Sequence, residues 1–432
     1  MNLFEDAIYP VVVERTEPVG SSLVRFCRLE GKPQGRLIVA EQNGVIAASL
    51  LLPGQNGYAI RSLGNGLHEI SELQSGEAKL ATTQCVVDLQ DGGKANASSI
   101  QTEKSVAGAG PENLESPIID IMIVYTPATT AAHGGPDGVS ALIALVVAEV
   151  NEVFANSLIN AHLRLVHQQE VQYAESGDAT LQTDYNRLAN PVDGYLDGIP
   201  GMGNAWGADL ISLWLTHPNA AQSRGEALTQ TSPSKYSVIV ARYASATSLG
   251  YQWHFAHELG HNLGCDHSRD HNSGPQFRWA DDSLGSWQIC APPCGAAGGL
   301  QDIMSFVSDV LPYFSNPQVY YVHPEFPDPC PTGFAPPLSC ACNCAGTINQ
   351  TASIVANYKT ATFFLGSTFH SDTQRFTFEI IGPPNAPCKI ESSSDLAQWT
   401  VRQTITLSGT GTGTFTDNSA GSVSYRFYRA TP

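Results

Sequence analysis

The chain has 432 residues, 42% of them hydrophobic, and a formal net charge of −18 from 40 acidic and 22 basic side chains. That is enough apolar material for a substantial core, and at about 150 residues per domain it suggests about three domains. An acid excess of this kind repels nucleic acid and anionic membranes, so neither is an expected partner.

Residues 1–90 read as a β-rich domain. Apolar runs at 22–29, 35–40, 45–52 and 58–63 are separated by Asn43-Gly44, Asn56-Gly57 and Asn65-Gly66. Asn-Gly between such runs is a strong hairpin signal, because both residues accept the positive φ of a tight turn. Residues 91–117 change character: small, polar and nearly without large apolar groups. They read as a flexible, cleavable linker.

From Ile118 strands and helices alternate, which predicts a mainly parallel twisted sheet over 118–361. Residues 118–125 form a short apolar run, read as a buried strand. Asp137 is placed to cap a helix whose apolar positions Val139, Leu142, Ile143, Val146, Val150 and Phe154 follow the 3.6 period. Further strands are expected at 162–173, 209–215 and 236–243, an edge strand at 225–231, and a closing helix at 347–358. Residues 366–432, rich in Thr, Ser and Gly, read as a small β-sandwich. No apolar run reads as long enough to span a bilayer.

The segment His257-Glu-Leu-Gly-His-Asn-Leu-Gly-Cys-Asp-His267 carries the chemistry. His257 and His261 stand four apart on one helix, so both imidazoles share a face and can share a metal. Gly264 permits the left-handed turn that ends the helix, and His267 can then return to the same point. Three neutral histidines leave one tetrahedral position open, as a catalytic zinc requires. Glu258, beside the first ligand, is placed to take a proton from water and pass it to a leaving amine.

This H-E-x-x-H-x-x-G-x-x-H segment resembles the metzincin signature, and Asn262 is similar to the reprolysin (adamalysin) branch. Asp302-Ile-Met-Ser-Phe306 resembles the metzincin Met-turn, which implies Met304 beneath the histidines. Residues 314–317 resemble the stretch after the Met-turn in secreted reprolysin-like enzymes, and 349–358 resemble their closing helix. The resemblance covers about residues 117–360. It implies a zinc endopeptidase, hydrolysing peptide bonds in extracellular proteins. Two positions depart from relatives: Ser268 follows the third histidine, as in matrixins, and Phe306 stands where astacin-like members have a tyrosine ligand.

Ten cysteines, eight of them after residue 264 and with no C-x-x-C pair, point to disulfides in an oxidising compartment rather than a zinc ribbon. Cys265 is expected to pair with Cys290 or Cys294. The N-terminus lacks a signal-peptide pattern, so Met1 reads as an artificial start or as a residue added after signal removal, and the protein is expected to be secreted and monomeric. The order β-domain, linker, catalytic domain resembles a zymogen. Cys85, just before the linker, would either hold the open zinc position as a thiolate latency switch or pair with Cys27. A rival reading is a catalytically silent scaffold that adheres through its C-terminal module to a surface, polysaccharide or protein, with Trp399, Phe427 and Tyr428 as candidate contacts. Acidic loops such as Asp281-Asp282 would admit calcium, although solvated loop is the ordinary reading.

Overall fold

A computed structural model describes residues 2–4, 7–52, 57–73, 116–178, 181–216, 225–229, 233–240, 253–267, 302–304, 311–322, 329–335, 341–359, 364–370, 375–382, 387–396, 398–408, 411–422 and 426–431. Cys85, the 91–115 stretch, Ser268, Asp281, Asp282, Cys290, Cys294 and Phe306 lie outside these residues.

A short ribbon, β1 (Asn2–Phe4) and β2 (Ala7–Ile8), precedes a six-stranded antiparallel meander. Its strands are β3 (Val11–Val19), β4 (Ser22–Leu29), β5 (Lys32–Gln42), β6 (Val45–Leu51), β7 (Gly57–Gly64) and β8 (Leu67–Leu73), each paired with its sequence neighbour. Asn43 and Asn65 adopt positive φ (50° and 54°) at the tight turns the sequence marked. The two-residue period divides the sheet into two apolar faces. Val24, Phe26, Ile38, Ala40 and Ala47 point one way, and Leu29, Leu37, Ala48 and Leu50 the other.

The central part runs β9 (Ile118–Tyr125), α1 (Pro127–Ala132), α2 (Pro136–Asn156), β10 (His162–Glu170), α3 (Gln182–Ala189), α4 (Ile199–Ala205) and β11 (Leu210–Leu215). It continues with β12 (Gly225–Thr229), β13 (Pro233–Val240), α5 (His254–Asn262), the pair β14 (Tyr320–Tyr321) and β15 (Cys330–Pro331), and α6 (Cys344–Val355). Five strands lie in the order β10-β9-β11-β13-β12. The first three pairings are parallel, and β12 is the antiparallel edge. Strand β9 is buried on both faces, as a central parallel strand must be. Its Ile119, Ile121, Ile123 and Tyr125 join a core with α2, α5 and α6, while Met122 and Val124 join one with α3 and α4.

Helix α2 begins two residues earlier than an Asp137 cap would set it. Gly135 is the cap and Pro136 takes the first helical position, where a missing N–H costs nothing. Asp137 lies in the first turn instead and accepts a hydrogen bond from Asn43 Nδ2 at 3.0 Å. Every residue from Ala141 to Val150 is buried, so the helix has an apolar partner on more than one side. By length and composition alone it would cross a membrane, whereas the sequence reading expected no such run. Here it is the core helix. The inner face of the N-terminal sheet packs against it, so residues from Val24 to Val355 contribute to one apolar core.

The C-terminal part consists of β16 (Phe364–His370), β17 (Arg375–Ile381), β18 (Pro387–Ser393), β19 (Thr400–Thr406), β20 (Thr412–Asp417) and β21 (Phe427–Thr431). They form two three-stranded antiparallel sheets, β16-β17-β20 and β19-β18-β21. Phe378, Ile380, Cys388, Ile390, Leu407 and Phe415 fill the space between. Tyr428 belongs to this packing, 4.4 Å from the Phe378 ring, with its hydroxyl donating to Asp417 at 2.6 Å. Trp399 lies under the Arg429 guanidinium at 4.3 Å, and Phe427 stays exposed.

Trp214 on β11 is 1% exposed and meets the Phe255 ring of α5 edge-on at 5.7 Å. Trp214→Ala removes the contact between sheet and α5 and leaves a cavity. We expect a loss of about 3–5 kcal/mol, read from urea unfolding monitored by circular dichroism. A loss below about 1 kcal/mol would contradict this packing.

Candidate active site

Helix α5 presents His257 and His261 on one face, and the chain turns back at Gly264, whose φ is +93°. A side chain is strained there, so glycine permits the reversal that brings His267 round. The result is a cluster of three buried imidazoles. His261 Nε2 lies 2.9 Å from His267 Nε2, and His267 Nε2 lies 3.1 Å from His257 Nε2. Among the described residues this is the one group of His, Cys, Asp or Glu whose ligand atoms are close enough to share an ion.

The remaining ring nitrogens fix the tautomers. His257 Nδ1 is 2.7 Å from the Ile303 carbonyl oxygen, and His261 Nδ1 is 2.9 Å from that of Cys265. A carbonyl can only accept, so both Nδ1 atoms carry the proton. Both Nε2 atoms therefore turn lone pairs toward the common point. Burial drives the His257 pKa down to about 4, with the Ile303 hydrogen bond opposing it. Burial, followed by the neighbouring His257, drives His261 down to about 3. Neutral lone pairs converging from buried side chains suit a bound divalent cation, and imidazole nitrogen suits zinc.

Glu258 follows His257 on α5 and is 1% exposed. Removing a carboxylate from water is costly, and a cation at the histidine focus would offset much of that cost. His254 opens the helix but is not part of the three-histidine cluster. Of the other histidines, His68 accepts from the Ile46 amide at 3.3 Å and His167 stacks on Trp206 at 4.1 Å, both away from the cluster.

Met304 lies against α5 at Gly260. A methyl group added to Gly260 would sit 2.4 Å from Met304 Sδ and 2.9 Å from Phe314 Cε1. The Asp302–Met304 segment is pinned by the Ile303 amide, which donates to Tyr313 O at 2.9 Å, and by Asp302, which accepts from the Ser315 amide at 3.1 Å. The following residues are fastened to the end of α2. Phe314 N donates to Ser157 Oγ at 2.9 Å, and Asn316 Nδ2 to Ser157 O at 2.7 Å.

Several supporting contacts were not visible in the sequence. Asn262 Nδ2 donates to Tyr236 O at 2.9 Å and ties α5 to β13. Thr351 Oγ1 of α6 donates to Leu263 O at 2.7 Å, at the end of α5. Cys265 Sγ lies 3.6 Å from the Cys344 carbonyl oxygen, both residues fully buried. The motif spacing could not disclose these, because each partner is 26 to 88 residues away in sequence. Cys27 is buried within the N-terminal sheet and forms no disulfide among the described residues.

Residues 116–327 match the family model described as metallo-peptidase family M12B, reprolysin-like. Over this segment the chain is similar to reprolysin-like metallopeptidases. A peptidyl-Asp metalloendopeptidase of Stenotrophomonas maltophilia (strain R551-3) is 29% identical over 211 residues, covering 47% of this chain and 46% of the relative. One of Pseudomonas aeruginosa is 27% identical over 238 residues, covering 50% and 36%. One of Xanthomonas campestris pv. campestris is 28% identical over 211 residues, covering 47% and 45%. The chain thus spans less than half the length of these curated relatives. Among solved structures, a chain titled "Structure of a chaperone-substrate complex" aligns with a TM-score of 0.41 and 19% identity, over 57% of this chain and 35% of its own, a likeness too slight to bear on the fold.

Gly260→Ala tests the support beneath the histidines. Alanine favours a helix by about 1 kcal/mol, but overpacking against Met304 and Phe314 costs about 1–3 kcal/mol. We expect a lower melting temperature and faster loss of a bound divalent metal to a chelator. Unchanged melting and metal retention would mean that the Met304 contact does not hold the site.

Proposed function

We propose that the chain is a secreted zinc endopeptidase that hydrolyses peptide bonds in protein substrates. The observation that carries this reading is the cluster of three buried imidazoles whose Nε2 atoms meet, with His257 and His261 hydrogen-bonded outward through Nδ1, and Glu258 next to His257 on the helix. His257, His261 and His267 would hold the metal. When bound, zinc supplies a Lewis acid that polarises the scissile carbonyl and makes water acidic enough to lose a proton near pH 7.

Glu258 is the general base. Its carboxylate takes the proton from the attacking water as the carbonyl carbon becomes tetrahedral, then delivers it to the amine as the C–N bond breaks. Strand β12, the antiparallel edge, has one side unpaired within the sheet, and an extended substrate can add there by main-chain hydrogen bonding. The names of the three relatives direct the first assays to peptides containing aspartate. The rival reading, an inactive adhesive scaffold, gains nothing from a chain that keeps the base and all three histidines.

We also read the protein as latent on synthesis, with Cys85 closing the open metal position. The physical ground is the high affinity of zinc for thiolate.

Peptidase activity on aspartate-containing peptides should vanish with a zinc chelator and return on zinc addition. Glu258→Ala should lower kcat by about 10²-fold or more while leaving zinc content at one per chain. Retained activity in that variant would overturn the assignment of the base. Cys85→Ala should raise the basal activity of the full chain, and unchanged latency would remove the switch.

A further inference from the structure

The N-terminal meander is attached to the zinc-bearing half by more than the peptide chain. Its inner face, Val24, Phe26, Ile38, Ala40 and Ala47, enters the same apolar core as α2. The residues of α2 from Ala141 to Val150 are buried without a break. An amphipathic helix covering a sheet keeps one face for water, and this helix keeps none along that stretch. Without the meander, α2 would present a continuous apolar strip, which stable monomers avoid.

Polar contacts fix the register of the two parts. Arg61 Nη1 donates to the Ala132 carbonyl at 2.7 Å, and Asn43 Nδ2 to Asp137 at 3.0 Å. Arg15 pairs with Glu152 on α2. Backbones also meet directly: a methyl group at Gly134 would lie 2.1 Å from Gly64 N. Such closeness requires two surfaces that fit each other, not a tether that happens to touch.

The position matters as much as the fit. Helix α2 packs on β10, at one end of the central sheet, while α5 packs on β13 and β12 at the other. The meander therefore covers α2 at the edge opposite the strands that carry the histidine helix.

We infer that residues 11–73 are a permanent structural subunit of the enzyme: after the chain is cut between residues 74 and 115, the meander stays bound to α2 by non-covalent contacts, and the mature protein is a two-chain complex. Its surface on α2 takes one occupant, the β4–β6 face of the same molecule. This goes beyond the proposed peptidase reading and does not depend on it, because the test needs no catalysis.

The test introduces a recognition sequence for a sequence-specific protease between residues 91 and 115 of the full chain. After complete cutting, the material is run on native size exclusion with light scattering. We expect both fragments in one peak at about the mass of the uncut chain, 46.1 kDa. That peak should persist on dilution to about 1 μM, as expected for an interface of ordinary size. Addition of urea should separate the fragments only together with loss of α2 protection in hydrogen exchange. Separate peaks under native conditions would overturn the inference, whether the larger fragment then stays soluble or aggregates. So would a single peak in which cutting alone raises exchange in α2 by more than about tenfold.

Discussion

The direction of two protons governs the centre of this structure. His257 and His261 give their Nδ1 hydrogens to the carbonyls of Ile303 and Cys265. Their Nε2 atoms turn lone pairs toward one point, and each lies about 3 Å from His267 Nε2. Burial also disfavours protonation of the first two, holding their pKa values down to about 4 and about 3. Neutral imidazole nitrogens turned to one point are a donor set for a cation. The surrounding fold holds this arrangement in place.

Holding it so is a long-range task. The carbonyl that orients His257 comes from residue 303, and the hydroxyl that satisfies the end of α5 from residue 351. The segment bearing Met304 is in turn fastened to Ser157, at the far end of α2. A nine-residue helix could not keep two imidazoles in register by itself, because isolated helices of that length are unstable in water. Its geometry is imposed by β13, α6 and the Met304 segment, and those elements come together only when the central core forms. Metal affinity and global stability should therefore be linked.

Much of the site was legible because its information is local. The i, i+4 spacing of His257 and His261 and the glycine at 264 depend only on helix geometry and one permitted φ, and the structure places them together with His267. Strand β9 was equally clear, since an unbroken apolar run fits a strand buried on both faces. The second ring of contacts was not legible. Backbone carbonyls carry no sequence signature, so Ile303 O and Cys265 O could not be anticipated as the acceptors that set the tautomers. The cap of α2 was misplaced by two residues because Asp137 is a common cap type, while the Pro136 ring decides the start by fixing φ at the first helical position.

Helix α2 shows why pattern alone could not settle the architecture. A 3.6-residue period through Val139, Leu142, Ile143, Val146, Val150 and Phe154 describes one apolar face. The residues between them, Ala141, Ala144, Leu145, Val147 and Ala148, are buried as well. A helix this rich in apolar residues, with Glu149 the one charged side chain between Ala141 and Val150, can end in a bilayer or in a core with two covering layers, and its own sequence does not choose. The choice is made some hundred residues earlier, where Val24 and Phe26 on β4 and Ile38 and Ala40 on β5 alternate with residues of the opposite face. That alternation creates an apolar sheet surface that needs a partner as much as α2 does. Each surface covers the other, and the same contact sets where the meander sits: against α2, with the histidine helix α5 held at the other end of the central sheet.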